Sequence, residues 1–294
     1  MPADEVGKLY PVAKAVLTPL FRAGWKFDLQ GLDNIPETGG AILCPNHTSV
    51  LDSFFVPALL PRRVSYVGKA EYMDSWKTKH IFPALGMIPI DREGGDAGER
   101  ALATAQRLLE QGQLFGIYPE GTRSRDGRLY RGHTGPARLA LRTGAPIIPI
   151  GIIGAREVMP PDAKFPTLRL PVTIKFGRPI EVGRYAGRAN DRMVLRQLID
   201  EVMYEIRELS GQEYVDEYAN KKKAAEPAAA EPSAEPAAAV NGTAPSSNGH
   251  GPAAPAPAAE PAPKSSRDDS AFVESTTPRS SADALKRPVR RSSV

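Results

Sequence analysis

From Ala41 to Phe176 short apolar runs recur at Ala41–Cys44, Val64–Val67, Met87–Ile90, Leu114–Tyr118, Pro146–Ile153 and Val172–Phe176, each closed by proline, glycine or polar residues. Between and around them lie stretches of helical periodicity: Val50–Leu60, Ala97–Gln111, Thr134–Arg142 and Asp191–Leu209. Runs of that length bounded by turn residues suit strands buried on both faces, and their alternation with helices predicts an α/β domain. Leu195, Leu198, Val202, Ile206 and Leu209 form the expected inward face of the last helix. Upstream, Trp25, Phe27 and Leu29 alternate with Lys26, Asp28 and Gln30, the period of a half-buried strand. Residues 5–23 put Leu9, Val12, Val16 and Leu20 on one helical face and Lys8, Lys14 and Arg22 elsewhere. Such a helix either lies in a lipid surface or packs its apolar face on the domain, and periodicity does not separate the two. Pro11 suits a first turn, whereas Pro19 is expected to kink or end the helix.

The alternation stops near Lys223. From Ala224 onward the chain is Ala, Pro, Glu, Ser and Gly with Phe272 as its one aromatic residue, and too little apolar surface remains to offset the entropy of ordering it. Three segments follow: an N-terminal amphipathic segment (1–30), one folded domain (31–223) and a disordered Ala/Pro-rich tail (224–294). The chain carries a net charge of +4, while the tail holds 7 basic against 8 acidic side chains, so the positive excess belongs to the domain. That balance suits an anionic surface or a phosphorylated substrate. The basic residues are not interleaved with aromatics in any nucleic-acid-binding pattern. Lys286, Arg287, Arg290 and Arg291 close the tail as a small basic cluster, either a lipid contact or a solvated end.

A single cysteine, Cys44, excludes an internal disulfide framework, and no signal-peptide pattern opens the chain, so a cytoplasmic location is expected. No run of about 18 apolar residues is present, so membrane contact is expected to be peripheral. His80 and His133 have no partners at metal-ligand spacing and His250 lies in the tail; no metal site is expected.

Two loops carry the chemistry. Asn46-His47-Thr48-Ser49-Val50-Leu51-Asp52 follows the first buried strand and leads into a helix. An imidazole with an ordinary pKa near 6.5 is suited to taking a hydroxyl proton near neutral pH, and a carboxylate on its other nitrogen would fix the tautomer. Alone, the spacing also suits an ordinary core or surface histidine. Tyr118-Pro119-Glu120-Gly121-Thr122-Arg123-Ser124 follows another strand. Gly121 permits a tight turn and Arg123 offers a planar fork for phosphate or carboxylate, though an ion-paired structural turn has the same residues. Ser49 and Cys44 are the possible nucleophiles. Ser49 reads better as a helix N-cap, and Cys44 as a buried, inert thiol at the end of a strand.

The two loops do not stand alone. Asn46–Asp52, Gly86-Met87-Ile88-Pro89-Ile90-Asp91-Arg92, the Glu120 loop and Ala145-Pro146-Ile147-Ile148-Pro149-Ile150 resemble, in order, the four blocks of the 1-acylglycerol-3-phosphate O-acyltransferase family. The resemblance spans about Gly31 to Ile153. It implies the glycerolipid acyltransferase fold, a mostly parallel sheet flanked by helices and preceded by an N-terminal amphipathic helix. It further implies transfer of a fatty acyl group from acyl-CoA or acyl carrier protein to the free hydroxyl of 1-acylglycerol 3-phosphate. By the same resemblance His47 is the general base and Asp52 its orienting partner; Lys69, Arg92 and Arg123 bind the substrate phosphate. Glu120, Gly121 and Thr122 belong to the turn where the acceptor docks. Tyr118 departs from the family's usual phenylalanine, and Pro89 from a bulky apolar residue.

The implied partners are an acyl thioester, a lysophospholipid and the cytoplasmic face of the cell membrane, with no cofactor beyond the thioester co-substrate. Glycerol 3-phosphate, another lysophospholipid or a glycolipid stands as the alternative acceptor. A non-catalytic membrane-surface adaptor and a hydrolase using Ser49 or Cys44 are the alternatives from other classes.

Overall fold

The computed structural model describes residues 10–69, 86–90 and 97–219. The tail expected from Ala224, the basic cluster within it, His80 and Leu9 lie outside these residues. Along the chain run α1 (Tyr10–Gly24), β1 (Lys26–Gln30), β2 (Ala41–Pro45), α2 (Asp52–Leu59), β3 (Val64–Lys69), β4 (Met87–Ile90), α3 (Ala97–Glu110) and β5 (Leu114–Gly116). They are followed by β6 (Leu129–Tyr130), α4 (Gly135–Thr143), β7 (Ile147–Ile153), α5 (Ala155–Val158), β8 (Pro171–Phe176), α6 (Arg192–Ser210) and β9 (Tyr214–Val215). Seven strands form one sheet in the order β1-β8-β7-β2-β5-β3-β4, parallel throughout except where β8 runs antiparallel to β7. This is the mostly parallel, helix-flanked sheet that the alternation predicts. A two-stranded ribbon, β6 with β9, and the short α5 have no counterpart in the sequence reading.

The period of two along each strand sorts side chains to the two sides of the sheet. Ile42, Cys44, Phe115 and Ile147 pack with α3, α4 and α6, through residues such as Leu109, Leu139 and Leu198. Ala41, Leu43, Leu114, Ile148, Ile150, Val172 and Ile174 pack with α2 and with Phe21 and Trp25. Both sides of the central strands are covered, which is why β2 has every residue buried. Gly116 is required where it stands: a Cβ there would lie 2.1 Å from the Tyr66 ring.

Of the two readings left open for α1, the helix packs on the domain, but by a face other than the one carrying Val12, Val16 and Leu20. Tyr10 and Phe21 are buried and Leu17 lies against the core, whereas Val12, Val16 and Leu20 stand about 60% exposed (61%, 61% and 59%). Phe21 meets the fully buried Phe55 at 5.6 Å between ring centroids. The Tyr10 hydroxyl donates to Pro57 O at 3.1 Å and the Thr18 hydroxyl to Ala58 O at 2.6 Å. These ties lock α1 onto α2, and the helix continues past Pro19 to Gly24 instead of ending there. In α6, Leu195, Leu198, Val202 and Ile206 are buried as expected, joined by Ile199 and Met203, while Leu209 is half-buried.

Parallel strands align the loops at their C-terminal ends. Leu43 of β2 pairs with Gly116 of β5, so the segments following these neighbouring strands emerge side by side. They are the two loops that carry the chemistry-bearing residues, at the sheet edge where open α/β folds bind ligands.

Candidate active site

His47 leaves β2 two residues after Pro45, and Asp52 opens α2. Their side chains meet, with His47 Nδ1 3.1 Å from Asp52 Oδ2. The same oxygen accepts the backbone N–H groups of Thr48 and Ser49, each at 2.8 Å. Three donors on one oxygen fix the carboxylate, and Asp52 is fully buried while the His47 side chain keeps 15% exposure. With Nδ1–H given to a carboxylate, the acceptor lone pair of a neutral imidazole falls on Nε2. The second oxygen, Asp52 Oδ1, is buried without a hydrogen-bond partner among the described residues.

The ring is held on its face as well. Tyr118 stacks on His47 with centroids 3.8 Å apart and planes 14° from parallel. The Tyr118 hydroxyl lies 2.9 Å from Ser53 Oγ, and Tyr66 stacks in turn at 5.8 Å. Burial pushes the Tyr118 and Tyr66 phenols up, and nearby Asp52 adds to it, so both remain neutral near pH 7.

Glu120 is 1% exposed. Its Oε1 accepts the His47 N–H at 3.1 Å and its Oε2 the Tyr130 N–H at 3.0 Å, so both oxygens are committed to main chain. Burial raises its carboxyl to about 8, against the opposing pull of those two backbone bonds. Beyond it, Gly121 turns the chain at φ +70°, a conformation open to glycine, and its N–H returns to Tyr118 O at 3.1 Å. Thr122 is half-buried and Arg123 exposed, and no ion pair among the described residues engages Arg123. Ser124 donates its N–H to His47 O at 2.7 Å, a second tie between the loops.

Of the other expected site residues, Lys69 closes β3 with only its backbone described, and Arg92 lies outside the described residues. Ser49 is buried, donating to Met159 O at 3.1 Å and accepting from Leu51 N–H at 3.3 Å. It does not cap α2 as the sequence suggests, because the residue at the cap position is Leu51. Cys44 is fully buried, its thiol pushed up by burial, a poor setting for a nucleophile. Among the described residues no cluster of histidine, cysteine and carboxylates suits a metal.

Two holders of the histidine loop were not singled out from the sequence. Asn46 Oδ1 accepts Ile152 N–H at 2.7 Å, and its Nδ2 donates to Ile152 O at 3.0 Å and to Gln212 Oε1 at 2.7 Å. Gln212 in turn donates to Gly127 O at 2.7 Å. Asn46 sits within a recognisable motif; Gln212, 166 residues away, has no local signal.

A family model described as Acyltransferase matches residues 26–153, from β1 through β7, and takes in both loops. An uncharacterized protein of Mycobacterium tuberculosis is 30% identical over 248 residues, covering 70% of this chain and 67% of that one. The chain belongs to the acyltransferase family. A chloroplastic 1-acyl-sn-glycerol-3-phosphate acyltransferase of Brassica napus is 29% identical to this acyltransferase-family chain over 137 residues, 46% of this chain. The chain spans only 40% of that relative's length. The crystal structure of the 1-acyl-sn-glycerophosphate acyltransferase PlsC from Thermotoga maritima superposes with a TM-score of 0.52 at 23% identity, covering 67% of this chain and 75% of that one. At this identity the likeness is one of fold.

Proposed function

We propose that the protein transfers a fatty acyl group from acyl-CoA or acyl carrier protein to the free hydroxyl of 1-acylglycerol 3-phosphate, giving phosphatidic acid. The observation that carries this reading is the 3.1 Å contact of His47 Nδ1 with the buried Asp52 Oδ2. It leaves Nε2 as the base at the open end of two adjoining loops. Nε2 takes the acceptor's hydroxyl proton as that oxygen attacks the thioester carbonyl carbon. Collapse of the tetrahedral adduct breaks the C–S bond, and the departing sulfur takes the proton from the imidazolium. General-base help of this kind is typically worth about 10²–10⁴ in rate.

Arg123, exposed on the Glu120 loop and free of ion pairs among the described residues, binds the acceptor phosphate together with Lys69 and Arg92. Anchoring the phosphate orients the hydroxyl towards base and acyl carbon, so binding energy remote from the reaction lowers its barrier. The Glu120 turn steadies the base by accepting the His47 backbone N–H. The reaction calls on no metal or cofactor, since the thioester is itself the activated donor.

The protein works as a peripheral enzyme on the cytoplasmic face of the membrane. Among the described residues no helix is long and apolar enough to cross a bilayer, and the outer face of α1 offers Val12, Val16 and Leu20. Free thiol released from acyl-CoA or acyl carrier protein, with lysophosphatidic acid, glycerol 3-phosphate or a phosphate-free lysolipid as acceptor, tests the reading. Turnover with lysophosphatidic acid supports it. Turnover without acceptor would support a hydrolase, and none with either donor an adaptor.

A further inference from the structure

After β7, where the family match ends, the chain passes through α5 and then runs irregularly from Met159 to β8. Its start is fixed at the candidate active site, because Met159 O accepts the Ser49 hydroxyl at 3.1 Å, two residues from His47. Its end is fixed at α1. The Trp25 indole N–H donates to Thr167 O at 2.8 Å, and Arg169 N–H donates to Gly24 O at 2.6 Å. Arg169 takes φ +64°, the only positive value at a non-glycine position among the described residues, so this junction is held in one conformation at the cost of local strain.

A loop so tied leaves Phe165 at 84% and Leu168 at 61% exposure. Leu168 also continues a row of apolar residues. Val12, Val16, Leu20 and Gly24 are spaced four apart along α1 and lie one above another. A Cβ on Gly24 would lie 3.7 Å from Leu168 Cδ2, so the leucine of the loop extends the stripe of the helix. Near it, Lys26, Lys164 and Arg169 are all exposed. No ion pair among the described residues engages any of them, while the loop's acid, Asp162, is neutralised by Arg125. Asp28 and Glu157 are the nearest exposed acids in sequence.

Exposed aromatic and aliphatic groups ringed by cations match an anionic lipid surface, which offers hydrocarbon below and phosphate at the level of the cations. We propose that the 160–170 loop and the outer face of α1 form one bilayer-docking surface, with Phe165 and Leu168 entering the acyl region and Lys26, Lys164 and Arg169 meeting anionic headgroups. This assignment rests on the acyltransferase reading. It deepens that reading by giving the site a lipid entry, because the loop that reaches into the bilayer begins on the residue that receives the Ser49 hydroxyl.

The test places an environment-sensitive nitrobenzoxadiazole label on Phe165→Cys, the buried native Cys44 being inaccessible to it. Met193→Cys is the control, 78% exposed at the start of α6 on the other side of the sheet. Vesicles of phosphatidylcholine alone and of equal parts phosphatidylcholine and phosphatidylglycerol are the probes. The label at 165 should brighten and shift to the blue with the anionic vesicles, less with the neutral ones, and the label at 193 should not respond. Phe165→Ser with Leu168→Ser should lower the vesicle-bound fraction roughly tenfold or more. Lys164→Glu with Arg169→Glu should abolish the preference for anionic vesicles. Co-sedimentation with a silent label at 165, full binding by the serine variant, or no vesicle binding by the wild type would each overturn the proposal; a protein-docking face would give the last result. Acyl transfer by the wild type in detergent is scored separately. Docking without transfer removes the catalytic reading and keeps the surface, and transfer without docking does the reverse.

Discussion

Glu120 Oε1 accepts the backbone N–H of His47 at 3.1 Å from a position 1% exposed to solvent, so the acid of one loop carries the main chain of the histidine on the other. Its second oxygen binds Tyr130 N–H at 3.0 Å. A residue that the family resemblance assigns to the acceptor turn is, in this fold, a clamp between β2, β5 and β6 as well.

The clamp carries a pH signature. An unfolded Glu120 titrates at its ordinary 4.5 and the folded one at about 8, because burial penalises the charge. Between those values the native state holds a proton that the unfolded chain releases, so stability is fullest below about pH 4.5 and is lost as pH rises through 8. Urea midpoints for wild type and Glu120→Gln at pH 5.5 and 8.5 check this: the wild type should lose more on going to pH 8.5, on the order of a few kcal/mol. Parallel losses would contradict it. At the acid end Asp126 acts with the opposite sign. Against the effect of its burial, hydrogen bonds from Tyr130 and Arg128 pull it down to about 2, so its contribution is present above 3.8 and disappears as pH falls towards 2.

Tyr118 divides into a ring and a hydroxyl. Tyr118→Phe keeps the 3.8 Å stack on His47 and gives up only the contact with Ser53, so kcat should change by less than about fivefold, in line with a net worth near 1 kcal/mol for one hydrogen bond. Tyr118→Ala removes the wall behind the imidazole and should lower kcat about tenfold or more. Steady-state kinetics on both variants separates the two parts. Equal losses would assign the role to the hydroxyl.

Gln212→Ala leaves one of the two Asn46 Nδ2 hydrogens without its acceptor at the base of the histidine loop, the other still reaching Ile152 O. The unsatisfied group should cost about 1–3 kcal/mol of stability. Because it acts on loop placement, kcat should fall several-fold with the acceptor KM little changed. A rise in KM alone would place Gln212 at the substrate instead.

Arg123→Ala should raise KM for a phosphate-bearing acceptor about 10–100-fold, the range for one charge-assisted contact, and leave a phosphate-free lysolipid unaffected. Acceptor titrations against both compounds decide it. Equal effects would make Arg123 a structural residue of its loop.

The parts legible in the sequence are those written in local spacing. β2, β3, β4 and β7 are marked by apolar runs with turn residues at their ends, and His47 reaches Asp52 across one loop and the first turn of a helix. What was not legible depends on residues far apart. The stack of Tyr118 on His47, the Glu120 clamp and the Asn46–Gln212 bond join segments 71 to 166 residues apart, and nothing in either segment names the other. Helix α1 stayed open between lipid and core for a different reason. It is apolar on two faces, and the one carrying Tyr10, Leu17 and Phe21 wins the core because its aromatics meet Phe55 and its polar groups meet the carbonyls of α2. The strand expected over Leu114–Tyr118 stops at Gly116, although Ile117 N–H still reaches Leu43 O at 2.9 Å, because the chain then turns through Pro119 and Gly121. β6 and β9, two residues each, are too short to leave a periodic signal.

The proposed reaction depends on His47, oriented by Asp52, as the base. Its most direct test is acceptor-dependent thiol release, with both acyl donors, by wild type, His47→Ala and Asp52→Asn, each first verified as folded by its unfolding transition. Turnover with lysophosphatidic acid is expected from the wild type, with losses of about 10²-fold or more in both variants. Undiminished turnover in a folded His47→Ala protein would contradict it.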